Sequence, residues 1–124
     1  MPDNASAKTI LFVYGTLKRG LKNHHLIADQ VFLGEAVTEP QYRVFDLGPH
    51  PGLVEDTAHG LAVKGELWAV TPDCLAKLDE FEIATDLFVR KRIAVAGRPG
   101  AVEAYFWVGA VPTAKPSASH WPDE

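Results

Sequence analysis

The feature that most constrains the fold is a run of apolar, β-forming residues near the N-terminus, from Thr9 to Tyr14. The run reads Thr-Ile-Leu-Phe-Val-Tyr and is bounded by Gly15. A strand with one solvated face alternates apolar and polar residues, whereas a strand buried on both faces is almost continuously apolar. The run therefore predicts a strand that is covered on both sides.

Several later segments extend this β-rich pattern. Residues 63–69 alternate Val, Gly, Leu and Ala with Lys, Glu and Trp, which is the two-residue period of a half-buried strand. Residues 47–52 have the composition of a turn or loop. Strands are predicted at residues 9–14, 31–37, 42–46, 62–70, 88–96 and 103–108.

Only one stretch carries a full helix signature. Thr71 is a suitable N-cap, Pro72 suits the first helical position, and Asp73 favours the positive end of the helix dipole. We predict a helix that runs to about Glu82, and the pattern also allows a shorter one near residues 23–29. Many short strands with one or two helices indicate an α+β domain. We expect its sheet to curl into a small, closed or partly closed mixed β-barrel flanked by one main helix and short helices.

Length, charge and cysteine content narrow the classes of protein. The chain of 124 residues has room for one domain, with an ordered core expected over about residues 9–111 between a loose leader and tail. A net charge of −4 argues against a nucleic-acid-binding protein, since such proteins usually carry an excess of Lys and Arg. The only cysteine, Cys74, allows neither an internal disulfide nor a cysteine metal cluster. The apolar run at 10–14 is too short for a signal peptide or a membrane span, so we expect a cytoplasmic protein.

One carboxylate of the predicted helix, that of Glu82, falls on the apolar face of the helix and not on the face expected to contact solvent. At about 100° per residue, Glu82 falls between Leu75 and Leu78 on an apolar face, while Lys77 and Glu80 lie opposite. Desolvation there would raise the pKa of Glu82 towards the value that a general acid/base needs. The residues that make up this apolar face are Cys74, Leu75, Leu78 and Phe81.

A structural role for Glu82 is the alternative. If the helix ends by Phe81, Glu82 turns to solvent or pairs with Arg90 or Arg92. Helix geometry leaves both readings open, because structural ion pairs also perturb carboxylates.

The turn after the first strand is a candidate binding element. It runs from Tyr14 through Gly15, Thr16 and Leu17 to Gly20, and a glycine at a strand exit lets backbone N–H groups face outward and hold an anion. An ordinary loop is the simpler interpretation. A phosphate loop is excluded, because Leu21-Lys22 stands where Lys-Ser or Lys-Thr is required.

Together these segments resemble the gamma-glutamylcyclotransferase-like family, and most closely its short gamma-glutamylamine cyclotransferase type. The resemblance covers about residues 9–108. Its motifs, in the family's order, are Phe12-Val13-Tyr14-Gly15-Thr16-Leu17-Lys18-Arg19-Gly20, Asn23-His24, Pro51-Gly52-Leu53-Val54, Gly65-Glu66-Leu67-Trp68-Ala69-Val70 and Leu78-Asp79-Glu80-Phe81-Glu82.

The resemblance implies a compact β-barrel with flanking helices and an enzyme that needs no cofactor and no metal. It implies that the glutamyl end of a γ-glutamyl amine or γ-glutamyl amino acid sits on the backbone of Tyr14, Gly15, Thr16 and Leu17. Glu82 would be the acid/base that lets the substrate's α-amine attack its own γ-carbonyl, releasing 5-oxoproline and a free amine. One departure is Phe88, where the family often has a tyrosine. The identity of the leaving amine and the oligomeric state stay unassigned.

Other functions fit the residues less well. The serines lie in the two tails and no Gly-x-Ser-x-Gly occurs, Cys74 lies on the apolar helix face, and no two histidines are four residues apart. The main alternative is a non-enzymatic protein of the same fold that binds a small metabolite or a partner. A partner-binding module that uses the three tryptophans is a weaker alternative, because three tryptophans suit an ordinary core.

Overall fold

The computed structural model describes residues 8–47, 51–83, 87–98, 100–109 and 117–118. Within them the chain forms eight strands, one α-helix and a short 3₁₀ helix over His24–Leu26. No helix of the described segments is long and apolar enough to cross a membrane. The elements are β1 (Thr9–Val13), β2 (Val31–Val37), β3 (Tyr42–Asp46), β4 (Pro51–Glu55), β5 (Lys64–Val70), α1 (Pro72–Ile83), β6 (Phe88–Arg92), β7 (Glu103–Trp107) and β8 (Ser117–Ala118).

Strand β1 is the centre of a five-stranded mixed sheet with the order β2-β5-β1-β7-β6. It pairs antiparallel with β5 and parallel with β7. Its side chains enter two different hydrophobic clusters, since successive residues of a strand point to opposite faces. Phe12 packs with one cluster, while Leu11 and Val13 pack with the other. All three are buried, so the prediction of a strand covered on both sides is confirmed.

A second, three-stranded sheet has the order β4-β3-β8. Strand β4 was not predicted, because Pro51-Gly52 has the composition of a turn. Proline is nevertheless tolerated as the first residue of an edge strand, where its missing N–H is not needed. Among the described strands, β4 is such an edge strand, since it pairs with β3 alone. Strand β8 extends the ordered structure beyond the predicted end at residue 111. Residues 48–50 of the predicted loop lie outside the described part of the chain.

The α+β class is confirmed, but closure of the sheet into a barrel is not. The described strands form two sheets, and the edge strands β2 and β6 do not pair along their length. The end of β2 and the segment after β6 meet at a bridge between Thr38 and Val95, flanked by 2.9 Å hydrogen bonds from Glu39 N–H to Ala94 O and from Ala96 N–H to Val37 O. Strand β6 ends at Arg92, so it is four residues shorter than the strand predicted over residues 88–96.

Helix α1 follows its predicted signature. The Thr71 hydroxyl accepts a hydrogen bond from Cys74 N–H at 3.2 Å, as an N-cap does. Cys74 and Leu78 are buried and belong to the cluster that covers one face of β1. The helix continues to Ile83, so Glu82 is helical and the alternative in which the helix ends by Phe81 is excluded. The shorter helix predicted near 23–29 is only the 3₁₀ turn over His24–Leu26.

Candidate active site

A cavity of about 310 Å³ opens where β1 ends, between the following turn and the last turn of α1. Its inner wall is formed by the end of β1 and by the Tyr14–Leu17 turn, whose residues are buried. Exposed residues at the cavity are Lys22, Phe81 and Leu87, and these mark its mouth. The remaining lining residues are Phe12, Val13, Asn23, Pro51, Glu82, Phe88, Tyr105 and Trp107.

Close packing fixes the start of the turn. A Cβ atom on Gly15 would lie 2.7 Å from Pro51 Cγ, so only glycine lets the backbone approach the proline ring this closely. Lys18 N–H then donates to Gly15 O at 3.0 Å, which closes a tight turn. Asn23 reinforces it from the other side, donating its backbone N–H to Thr16 O at 2.9 Å and its side-chain amide to the Thr16 hydroxyl at 2.8 Å.

These contacts use the acceptors of the turn and leave its donors available. In the described residues, no hydrogen bond engages the backbone N–H of Gly15, Thr16 or Leu17. All three residues are buried, and a buried N–H without an acceptor costs about 1–3 kcal/mol. A ligand that carries carboxylate or carbonyl oxygens would satisfy them.

Glu82 lines the same cavity from α1. Desolvation by the surrounding side chains raises the pKa of its carboxyl to about 7. Burial raises the pKa values of Tyr14 and Tyr105 as well, and the negative charge of Glu82 adds to both increases, which places the carboxylate in electrostatic range of both hydroxyls. The structure thus brings together all five candidate residues from the sequence: Tyr14, Gly15, Thr16, Leu17 and Glu82.

Arg90, one of the two partners that the structural alternative suggests for Glu82, pairs with other carboxylates instead. Arg90 donates to both oxygens of Asp79, at 2.8 and 2.9 Å, and also pairs with Glu103. In the described part of the chain, neither Arg90 nor Arg92 forms an ion pair with Glu82. The Glu82 carboxylate therefore faces the cavity without a cationic partner from β6.

A network around Asp79, which the sequence did not reveal, connects α1 to the sheet. The Tyr105 hydroxyl donates to Asp79 at 2.6 Å, and the Tyr14 hydroxyl donates to Tyr105 O at 2.6 Å. Burial opposes ionisation of Asp79, but the hydrogen bonds from Arg90 and Tyr105 outweigh it and lower its pKa. Asp79 precedes Glu82 by three residues, so the network holds the helix turn that carries Glu82 against the end of β1. At about 100° per residue, Asp79 falls about 40° from Leu75, at the border of the apolar face of α1, which is the only sign of its role that the sequence contains.

One predicted core residue is found at the cavity mouth instead. Phe81 was placed on the apolar face of α1, but 47% of it is exposed. Helix packing is carried by Cys74 and Leu78, and the last turn of α1 borders the cavity rather than the core. Phe88, the departure from the family pattern, is buried in the cavity wall with its ring edge-on to Trp107 at 5.2 Å.

The sequence disfavoured two other kinds of site, a cysteine nucleophile and a metal centre. Cys74 is buried, and burial raises the pKa of its thiol, which opposes nucleophilic reactivity. Across the described residues, no group of three or more His, Cys, Asp or Glu side chains could hold a metal ion. The expectation that activity needs no metal stays a prediction.

Comparison with known proteins gives a consistent result. The gamma-glutamyl cyclotransferase, AIG2-like family matches residues 11–123. A gamma-glutamylaminecyclotransferase of Bos taurus is 35% identical over an alignment of 129 positions, which covers 97% of this chain and 76% of that protein. A relative from Arabidopsis thaliana, named among the gamma-glutamylcyclotransferases, is 40% identical over 71% of this chain, and this chain spans 51% of its length. The crystal structure of an AIG2-like protein from Mus musculus superposes with a TM-score of 0.81 at 26% identity, covering 92% of this chain and 88% of that one.

Proposed function

This chain belongs to the gamma-glutamyl cyclotransferase, AIG2-like family, and on that premise we propose that it is a cyclotransferase acting on γ-glutamyl amines or γ-glutamyl amino acids. The reaction releases 5-oxoproline and a free amine. The observation that carries the proposal is a single cavity that combines the available N–H groups of the Tyr14–Leu17 turn with a Glu82 carboxyl of pKa about 7.

Binding is assigned to the turn. The α-carboxylate of the glutamyl group accepts hydrogen bonds from the backbone of Gly15, Thr16 and Leu17, which are otherwise unused by the described residues. This anchors one end of the substrate and lets the chain fold back on itself. Because nucleophile and electrophile then belong to one bound molecule, much of the entropic barrier to reaction is removed.

Proton transfer is assigned to Glu82. Its carboxylate takes a proton from the substrate's α-ammonium, and the freed nitrogen lone pair attacks the γ-carbonyl carbon to close a five-membered ring. The carbonyl electrons move onto oxygen, which N–H donors at the cavity stabilise. Glu82 first gives this proton to the leaving nitrogen and, as a carboxylate again, takes the second proton from the attacking nitrogen. The oxyanion electrons re-form the carbonyl as the bond to the leaving nitrogen breaks, and Glu82 passes the second proton to the released amine, which leaves as an ammonium ion. A pKa near neutrality suits a group that must both accept and donate a proton.

The proposal is tested by assaying the purified full chain against a panel of γ-glutamyl compounds with different leaving amines, with 5-oxoproline measured as product. Turnover of at least one compound supports the proposal. If the cavity binds these compounds but none is converted, the protein is a metabolite-binding member of the same fold.

A further inference from the structure

The Gly65-Glu66-Leu67-Trp68 segment of β5 carries a buried carboxylate that the proposed reaction does not use. Glu66 is only 7% exposed and lies opposite Val13, the last residue of β1, in the register of the sheet. It is not part of the cavity wall. A charged side chain held this close to the binding turn, but outside the cavity, needs a structural explanation.

The contacts of Glu66 all lead back to the turn. Its Oε1 accepts hydrogen bonds from Arg19 backbone N–H and from Trp68 Nε1–H, both at 3.1 Å. Its Oε2 accepts from Arg19 Nε–H at 3.2 Å. The Trp68 ring packs edge-on against His24 at 5.2 Å, and His24 Nδ1 lies 3.0 Å from Leu17 O. One carboxylate therefore contacts Arg19 directly, two residues beyond the Tyr14–Leu17 turn in the same loop, and reaches Leu17 indirectly through Trp68 and His24.

This attachment differs from the other hydrogen bonds of the turn. The bonds from Lys18 to Gly15 and from Asn23 to Thr16 connect the loop to itself and would move with it as a unit. The Arg19 guanidinium also pairs with the exposed Glu35 of β2 at 3.3 Å, but that bond holds the end of a long side chain and not the loop backbone. The Glu66 bonds join the loop to β5, which pairs with β1 along its whole length. They fix where the turn lies relative to the strand end and so relative to the cavity.

We propose that Glu66 is a positioning residue for substrate binding, which holds the backbone N–H groups of residues 15–17 where the glutamyl carboxylate meets them. Its role in catalysis rests on the proposed function, because it acts only through the turn. Without Glu66, the turn keeps its internal shape but loses its fixed orientation. Binding of the glutamyl end weakens, while the proton-transfer step at Glu82 is unaffected.

The test compares Glu66→Ala and Glu66→Gln with wild type in the full chain. Backbone ¹⁵N order parameters of residues 15–17 and the values of KM and kcat for a γ-glutamyl substrate are measured. For Glu66→Ala we expect the order parameters to fall from about 0.85 towards about 0.6. We expect KM to rise at least about tenfold with kcat within about threefold, the signature of lost uniform binding. Glu66→Gln keeps the Oε1 acceptor, so KM should rise only about two- to fivefold.

Thr38→Val is the matched control. Thr38 is 1% exposed and its hydroxyl accepts a hydrogen bond from Val63 N–H at 2.9 Å, so loss of the hydroxyl destabilises the fold away from the turn. KM and the order parameters of residues 15–17 should stay at wild-type values in this variant. A rise in KM equal to that of the Glu66 variants would mean that general destabilisation explains both, and the positioning role would be rejected.

The remaining outcomes are separable. If the order parameters of residues 15–17 are unchanged in Glu66→Ala, the positioning role is rejected whatever the activity. If these residues become mobile but KM is unchanged, the claim that their position determines substrate binding is rejected. If Glu66→Ala does not fold, the test rests on Glu66→Gln alone. A Glu66→Gln variant whose KM and order parameters equal those of wild type would then reject the proposal. A wild type that converts no γ-glutamyl compound rejects the proposed function instead. The dissociation constant for L-glutamate then replaces KM as the readout for Glu66.

Discussion

Replacing Glu82 with glutamine separates a catalytic from a structural carboxylate. Glutamine keeps the shape and most of the hydrogen bonding of glutamate but cannot carry a proton. If Glu82 is the acid/base, turnover should fall about 10²–10⁴-fold, which corresponds to about 3–5 kcal/mol of barrier. Substrate binding should persist, because the Tyr14–Leu17 turn is proposed to hold the glutamyl end.

The effect on stability follows from the raised pKa of Glu82. The gap between about 7 in the folded protein and the ordinary value of 4.5 corresponds to about 3 kcal/mol in favour of the protonated form. The folded protein therefore binds this proton more tightly than the unfolded chain. The resulting stability is fully present below about pH 4.5, and it is lost as the pH rises through about 7.

Glutamine has no such charge to bury. We expect Glu82→Gln and wild type to have similar free energies of unfolding near pH 4.5, and the variant to be more stable by up to about 3 kcal/mol at pH 8. Chemical denaturation of both proteins at the two pH values, with turnover assayed in parallel, makes the measurement. The other ionisable groups titrate in the same way in both proteins, so their contributions cancel when one free energy of unfolding is subtracted from the other.

A structural Glu82 gives the opposite pair of results. The variant would then be less stable than wild type at pH 8, because a favourable charge interaction had been removed, and would keep near-normal turnover. Either a destabilised but active variant, or a stability difference that does not grow with pH, would refute the reasoning.

Four further results are expected. The value of kcat/KM should rise with pH to a midpoint near 7, because Glu82 must be ionised to accept a proton; initial rates from pH 5 to 9 measure this, and a flat profile would argue against Glu82. Gly15→Ala should raise KM and lower stability by about 1–3 kcal/mol, because its Cβ would lie 2.7 Å from Pro51 Cγ; an unchanged KM would contradict the binding role of the turn. Tyr105→Phe should lower the free energy of unfolding by about 1 kcal/mol through loss of the 2.6 Å bond to Asp79, and an unchanged denaturation midpoint would dispute that bond. Dialysis against a chelator should leave turnover unchanged, whereas a loss that a divalent ion restores would overturn the metal-free mechanism.

Much of the fold could be predicted from the sequence, namely the elements whose structure is determined by the residues of a single segment. The continuous apolar run predicted the buried strand β1, and the Thr71-Pro72-Asp73 signature placed the start of α1. The bounds of β2 and β3 were also predicted. Strand β4 was missed because a proline and a glycine suggest a turn when their pairing partner is unknown. Closure of the sheet was not predictable, since it depends on where the distant ends of β2 and β6 meet.

The candidate site was predictable only in part, for a related reason. A helical wheel found Glu82, because its position relative to Leu75 and Leu78 is a local property of one helix. The same wheel misplaced Phe81, because it cannot show that the last turn of α1 borders a cavity instead of the core. The contacts among Asp79, Arg90 and Tyr105 join three elements of the fold, and no spacing of residues along the chain predicts these contacts.

Turnover in ¹⁸O-labelled water tests the central claim most directly. Intramolecular attack by the substrate's amine involves no water, so we expect a γ-glutamyl substrate to give unlabelled 5-oxoproline and one equivalent of free amine, as measured by mass spectrometry. Hydrolysis of the same bond would give glutamate that carries one ¹⁸O atom. Labelled glutamate as the primary product would contradict a cyclotransferase, as would the absence of any product across the whole substrate panel.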